Sequence, residues 1–173
     1  MKSRAPSYFL SVLFCVCGTG LASSALGDAP PHVFFAQLKA SDRTAFHRYA
    51  FDESKLAALE RFAALANARR RTDKNSRVEW QRYGDTEAPE PIVQGNVEAL
   101  TRRYPMIRKA IVDAGLRCED YPLGVMTITM ALWVTPPVPA EDAVAAKSVL
   151  SQESIRFVQA HAARCKRLVA QLN

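Results

Sequence analysis

Two cysteines, Cys118 and Cys165, are the residues whose spacing constrains the chemistry of this chain most directly. The other two, Cys15 and Cys17, fall in an amino-terminal segment that export would remove. No C-x-x-C or C-x-x-C-H motif and no zinc-like ligand spacing accompanies the remaining pair. An even pair in an oxidising compartment predicts a disulfide, and closing its loop of about 48 residues would stabilise the fold by about 4 kcal/mol.

Histidine and methionine side chains are the next candidates for chemistry. The chain holds three histidines, His32, His47 and His161. The last two lie on predicted helices and could bind haem together with Met126 or Met130, as ligands do in exported four-helix cytochromes. Methionines four residues apart on an apolar helix are more typical of core packing. Only residue type supports haem or copper, so the sequence predicts no cofactor and no metal site.

Catalytic signatures are missing from the sequence. Nucleophilic catalysis would need a serine or cysteine gathered with a histidine and a carboxylate, but no G-x-S-x-G motif and no glycine-rich phosphate loop occurs. The acidic pairs at 52–53, 119–120 and 141–142 stand where predicted helices begin, so the helix dipole explains them better than acid–base chemistry does. The sequence therefore favours a protein without catalytic activity, and a small accessory hydrolase is the weakest alternative.

A basic stretch around Trp80 is the candidate binding feature. Cations beside an exposed aromatic ring could bind an anionic partner through charge and stacking. The alternative is a helix end whose arginines complement the dipole, followed by a solvated loop. The candidate residues are Arg69, Arg70, Arg71, Lys74, Arg77 and Trp80.

The elements that would position these residues begin after a predicted signal peptide over residues 1–27. Lys2 and Arg4 precede an apolar run at 8–16 that is too short to span a bilayer, and small residues follow it. The mature chain, residues 28–173, has the length of a single domain and no membrane span. These features predict a periplasmic or secreted protein, whose partner would be an anionic envelope component or another exported protein rather than nucleic acid.

Helical periodicity without a convincing strand predicts an all-α bundle of four to six helices. Asp52 and Ser151 are expected to cap two amphipathic helices. Residues 123–134 are apolar nearly all round and should form a buried central helix. Residues 72–95 lack periodicity and contain proline and glycine, which predicts a long loop, and Asn96 should cap the helix that follows it.

Two fragments resemble a pattern of small secreted bacterial helical proteins of unknown function. They are YPMIRKAIVDAGLRCEDYPL at residues 104–123 and SVLSQESIRFVQAHAARCKRL at residues 148–168. The pattern is a proline-led helix, a glycine, a capped apolar helix, and a final helix after a Ser-x-Glu start. The resemblance covers the carboxy-terminal half of the chain. It implies an exported helical bundle and assigns no catalytic residue.

Charge balance fits the same class of protein. The formal net charge is +6, and removing Lys2 and Arg4 with the signal peptide lowers it by two, to about +4. Such a mild basic balance suits contact with an anionic partner. We therefore expect an exported helical binding or envelope-interaction protein without catalytic activity. The alternative is a helical bundle that holds haem, a metal or a small apolar molecule.

We expect export to remove the signal peptide. The intact mass of protein from the periplasmic or secreted fraction should match a chain that starts between Ser24 and Ala29, because the small residues suited to cleavage lie there. A full-length chain in the cytosol would contradict this prediction.

Overall fold

The computed structural model describes residues 31–86, 89–135 and 137–172, and the predicted signal peptide lies outside these ranges. Within them the regular secondary structure is entirely α-helical, which confirms the all-α prediction. The described helices are α1 (Pro31–Gln37), α2 (Ala40–Arg48), α3 (Glu53–Thr72), α4 (Lys74–Gly84), α5 (Ile92–Arg102), α6 (Pro105–Asp113), α7 (Asp120–Trp133), α8 (Ala140–Val149), α9 (Gln152–Ala160) and α10 (Ala162–Leu172).

The ten helices of the described ranges exceed the predicted four to six. One reason is that the predicted last helix is interrupted at His161, whose backbone leaves helical geometry at φ −109° and ψ 23°. Its ring stacks on Phe157 with centroids 4.2 Å apart, and its Nδ1 lies 2.9 Å from the Phe157 carbonyl oxygen. A helix end of this kind has no strong sequence signal, because neither proline nor glycine marks it.

Helix α4 is the second reason, and it shows that the loop predicted over 72–95 is wrong. Asp73 ends α3 and begins α4, since its side chain accepts a hydrogen bond from the backbone N–H of Asn75 at 2.9 Å. Trp80 and Tyr83 turn inward from an otherwise polar helix. So narrow a buried stripe in a short helix gives a weak periodic signal, which explains why the sequence pattern missed it.

Two of the three helix caps predicted from the sequence are found in the structure. Asp52 accepts a hydrogen bond from the Lys55 N–H at 3.0 Å, and Ser151 accepts one from the Ser154 N–H at 3.1 Å, so both predicted caps are confirmed. The predicted cap at Asn96 is wrong, because Asn96 lies inside α5 and is buried.

A carboxylate from another helix caps α5 instead. Asp42 of α2 is 2 % exposed and accepts hydrogen bonds from the N–H groups of Ile92 and Val93 at 2.9 and 3.0 Å. These bonds satisfy donors that a helix start leaves unpaired, and the negative charge complements the helix dipole. The start of α5 is therefore fixed by packing against α2.

Helix α7 is the central element of the described bundle. Every residue from Asp120 to Leu132 is buried, and α7 packs against α2, α3, α5, α9 and α10. Gly124 permits close packing with α3, because a Cβ atom there would lie 2.8 Å from Leu59 Cδ1. A helix that is apolar nearly all round must be enclosed in this way.

Polar contacts set the directions of the helices around α3. Arg164 near the start of α10 pairs with Glu60 at 2.8 Å, and Asn67 further along α3 donates to the Gln171 carbonyl near the end of α10 at 3.0 Å. The two helices therefore run in the same direction. The hydrogen bond from Arg164 holds the pKa of Glu60 below its ordinary value. This pair is half-buried, and it ties the last helix to the longest one.

Trp80 belongs to the core formed by α3 and α4. Its side chain is 9 % exposed, and its ring centroid lies 5.7 Å from that of Phe62 and 6.3 Å from that of Tyr83. The guanidinium of Arg70 lies over the ring at 5.5 Å. Trp80 therefore anchors α4 to the bundle.

We expect Trp80→Ala to lower the free energy of unfolding by about 3 kcal/mol or more, because it empties a large buried site. Val78→Ala on the same helix is the matched control. Val78 is 37 % exposed, so its truncation should cost about 0.5 kcal/mol or less. Urea denaturation of both variants measures the difference, and equally small losses would contradict the core position of Trp80.

Candidate functional site

Most of the residues predicted to bind an anionic partner are occupied within the fold. Arg69 pairs with Asp113 of α6. Arg70 lies over the Trp80 ring. Arg77 donates from Nε to the Arg70 carbonyl at 3.1 Å, which satisfies an oxygen at the end of α3. These three arginines therefore join helices and complete helix ends, and Trp80 is too buried to stack on a ligand.

Arg71 and Lys74 are the two predicted residues that stay free. Both are exposed, and neither has a polar side-chain partner among the described residues. They flank the turn between α3 and α4. From Lys74 an exposed stripe continues along α4 through Val78 to Arg82 at steps of four residues, which keeps all three on one helix face. The free basic surface therefore begins at the predicted residues Arg71 and Lys74 and continues along α4 to Arg82, within the same basic stretch of the sequence.

The α4 stripe borders a hollow against the junction of α5 and α6. The hollow has a volume of about 310 Å³, and its lining combines the cations of Arg82 and Arg103 with the apolar side chains of Val78 and Met106 and the ring of Tyr104. Its composition suits a ligand that carries both negative charge and apolar groups.

A second hollow of about 340 Å³ adjoins the first. Its lining includes Arg102 and Arg103 at the end of α5, together with Pro89 and Gly95. Pro89 packs so closely on α5 that a Cβ atom at Gly95 would lie 2.3 Å from Pro89 Cβ. Arg103 lines both hollows, and we call the two hollows together the arginine groove.

Hydrogen-bonded tyrosines form the floor of the groove. Tyr83 donates to Asn96 Oδ1 at 2.7 Å. The hydroxyls of Tyr104 and Thr86 lie 2.7 Å apart, and the two tyrosine rings meet edge to face with centroids 5.1 Å apart. Tyr83, Tyr104 and Asn96 are all buried. The floor is thus a packed surface that holds its shape.

The arginines of the groove are its unpaired charges. Arg82, Arg102 and Arg103 are exposed, and no carboxylate of the described residues lies in ion-pair range of them. Each guanidinium presents a rigid fork of donors that matches a carboxylate or a phosphate. The groove therefore offers donors to an anion from outside the described chain.

The acidic residues that line the groove, in contrast, have partners. Glu79 accepts a hydrogen bond from the Ile107 N–H at 2.8 Å and so caps the start of α6. Glu90 pairs with Lys39 at 3.1 Å, and Glu98 accepts a hydrogen bond from a neighbouring glutamine. Only Glu90 has a cationic partner, so the lining carries charges of both signs, and its arginines lack an ionic partner among the described residues.

Local sequence explains why the arginines stand there. Tyr104 precedes Pro105, and a residue before proline is pushed out of helical geometry, which ends α5. Arg103 becomes the carboxy-terminal cap residue of α5, and Pro105 takes the first turn of α6. Cations at a helix carboxy terminus also complement its dipole. The Arg-Arg-Tyr-Pro run was therefore the available sequence signal for Arg102 and Arg103, whereas Arg82 belongs to the basic stretch around Trp80.

The structure does not contain the disulfide predicted between Cys118 and Cys165. Both residues are free cysteines in it. Cys165 is 0 % exposed on the buried side of α10, and burial raises its pKa to about 11. A protonated buried thiol packs as a small apolar residue. Cys118 is half-buried in the turn before α7.

The histidines are distributed over separate parts of the bundle. His32 Nδ1 lies 2.8 Å from Asp142 Oδ1, which links α1 to α8. His47 is exposed on α2, whereas Met126 and Met130 are fully buried in α7. In the part of the chain that the structure describes, no group of three or more His, Cys, Asp or Glu residues could hold a metal ion.

Comparison of the chain with family models, with curated proteins and with solved structures finds no match. Among the described helices, none combines the length and the apolar character needed to cross a membrane. The function must therefore be inferred from the groove itself.

We expect an alkylating reagent to label Cys118 readily and Cys165 slowly in native protein prepared without reductant. The sulfur of Cys165 is buried and its thiolate is scarce at neutral pH. Mass spectrometry measures the alkylation rate of each cysteine, and the two rates should become similar when the protein is unfolded. A Cys118→Ser control should retain only the slow site. If neither cysteine of the unfolded, unreduced protein reacts, the two are joined by a disulfide.

Proposed function

We propose that this chain is an exported helical binding protein without catalytic activity, and that it holds an anionic partner in the arginine groove. One observation carries the proposal. Arg82, Arg102 and Arg103 line adjoining hollows and have no acidic partner among the described residues. An anion bound between like-charged residues on one concave surface would be attracted by all of them.

The chemistry of the lining supports binding rather than catalysis. No histidine or cysteine occurs among the described residues of the groove. Its hydroxyl groups, from Tyr83, Tyr104 and Thr86, are engaged in hydrogen bonds. Arginine stays protonated at all physiological pH values, so it can bind and orient an anion but is a poor proton donor or acceptor. The groove is suited to recognition.

The partner is an anionic envelope component or another exported protein. Either would meet the groove in the compartment that the signal peptide predicts. The guanidinium fork binds carboxylates and phosphates in the same bidentate manner, so charge alone does not separate these two kinds of partner. The shape of the groove and its mixture of charged and apolar lining residues help to distinguish a carboxylate partner from a phosphate partner.

We expect the double variant Arg82→Ala/Arg103→Ala to leave a column of immobilised polyglutamate at clearly lower salt than the wild type. Loss of charge-assisted hydrogen bonds should weaken binding about tenfold or more. Arg48→Ala/Arg156→Ala is the matched control, because it removes the same charge from two exposed arginines outside the groove.

The control variant should elute close to the wild type. Its charge equals that of the groove variant, so a general charge effect would move both by the same amount. Equal shifts of the two variants on polyglutamate and on an immobilised polyphosphate column would contradict the proposed site. Thermal denaturation checks that both variants stay folded, as expected for exposed arginines.

A further inference from the structure

We infer that the partner of the arginine groove is an extended segment of acidic polypeptide, whose carboxylates are separated by neutral residues. The inference rests on the proposed function and specifies the chemistry of the ligand. Three features support it: the spacing of the exposed stripe along α4 beside the groove, the mixed charge of the lining, and the apolar side chains in that lining.

Spacing along α4 matches an extended chain. Lys74, Val78 and Arg82 follow one another at steps of four residues, which is about 6 Å along a helix axis. In an extended peptide every second side chain points the same way, and such side chains lie about 6.7 Å apart. Successive side chains on one face of a peptide can therefore meet successive residues of the stripe.

The order of residue types along the stripe defines the peptide. A cation, an apolar residue and a second cation follow one another, namely Lys74, Val78 and Arg82. The complementary face of a peptide carries an acid, an apolar residue and a second acid. Arg103 lines the first hollow together with Arg82 and also lines the second hollow, so it can receive a further carboxylate.

The mixed charge of the lining disfavours a dense polyanion. Glu79 belongs to the lining of the first hollow, and Glu90 and Glu98 belong to that of the second. A polyphosphate chain, with a negative charge on every unit, would place some of its charges against these carboxylates, at an electrostatic cost. A peptide with spaced acids can present neutral groups at the same points.

The concave shape and the apolar lining of the groove also favour a peptide over a membrane surface. The groove is concave, whereas a membrane surface presents its headgroups on a broad front. Val78 is among the few large apolar side chains exposed in the described ranges, and Met106 lines the hollow beside it. Apolar surface in the lining of a charged groove gains binding energy only from a ligand with apolar groups. The packed tyrosine floor lowers the entropic cost of binding, because it is already ordered.

Fluorescence anisotropy with labelled peptides at low salt tests the inference. The probe contains Glu-Ala-Val-Ala-Glu between flexible Gly-Ser ends, and its control has the same composition in the order Glu-Glu-Ala-Val-Ala. The first peptide should bind several-fold more tightly. Arg82→Ala/Arg103→Ala should weaken its binding about tenfold or more, and Arg48→Ala/Arg156→Ala should not.

Val78→Ala separates peptide recognition from simple charge attraction. It should weaken binding of the probe several-fold, because apolar contact is lost, and leave the binding of inorganic polyphosphate unchanged. Arg82→Gln/Arg103→Gln repeats the test with a longer polar side chain if the alanine variant does not fold.

The outcomes distinguish the inference from the proposed function. If polyphosphate or phosphatidylglycerol vesicles bind through Arg82 and Arg103 and the peptides do not, the acidic-peptide inference is wrong and the groove remains an anion site. If both peptides bind equally, the spacing argument fails. If no probe distinguishes the wild type from the groove variants, the proposed function fails as well.

Discussion

Enclosure of helix α7 is the constraint on which the rest of the described structure depends. A helix buried from Asp120 to Leu132 needs apolar partners on every side. Short helices such as α2, α5 and α9 supply them together with α3 and α10. Many short helices around α7 create many helix ends. Each end leaves backbone donors or acceptors that need a hydrogen-bond partner.

Those helix ends account for much of the polar architecture. Asp42 of α2 caps α5, Glu79 of α4 caps the start of α6, and Arg77 bonds to a carbonyl at the end of α3. Each of these side chains forms a hydrogen bond with the backbone of a different helix. Contacts between helices also engage three arginines of the basic stretch around Trp80, namely Arg69, Arg70 and Arg77. Arg71 and Lys74 stay free at the turn between α3 and α4, and Arg82, Arg102 and Arg103 stay unpaired where α4 meets the junction of α5 and α6.

The arginine groove is thus a product of the packing and of local sequence together. Pro105 forces the end of α5 and leaves Arg103 at its tip, while burial of Trp80 fixes α4 alongside. The same packing that removes Trp80 from any ligand turns Val78 and Arg82 outward beside Arg103. A concave surface of this kind needs no cavity inside the bundle, because its hollows lie where α4 meets the junction of α5 and α6.

The sequence by itself determined the all-helical class, the caps at Asp52 and Ser151 and the apolar central helix, because each depends on residues close together in the chain. It left α4 and the groove undetermined. Buried Trp80, the cap that Asp42 provides and the meeting of Arg82 with Arg103 all arise between separate helices. Only the tertiary structure decided them, because the free energy of those contacts comes from residues that packing brings together and periodicity cannot reveal.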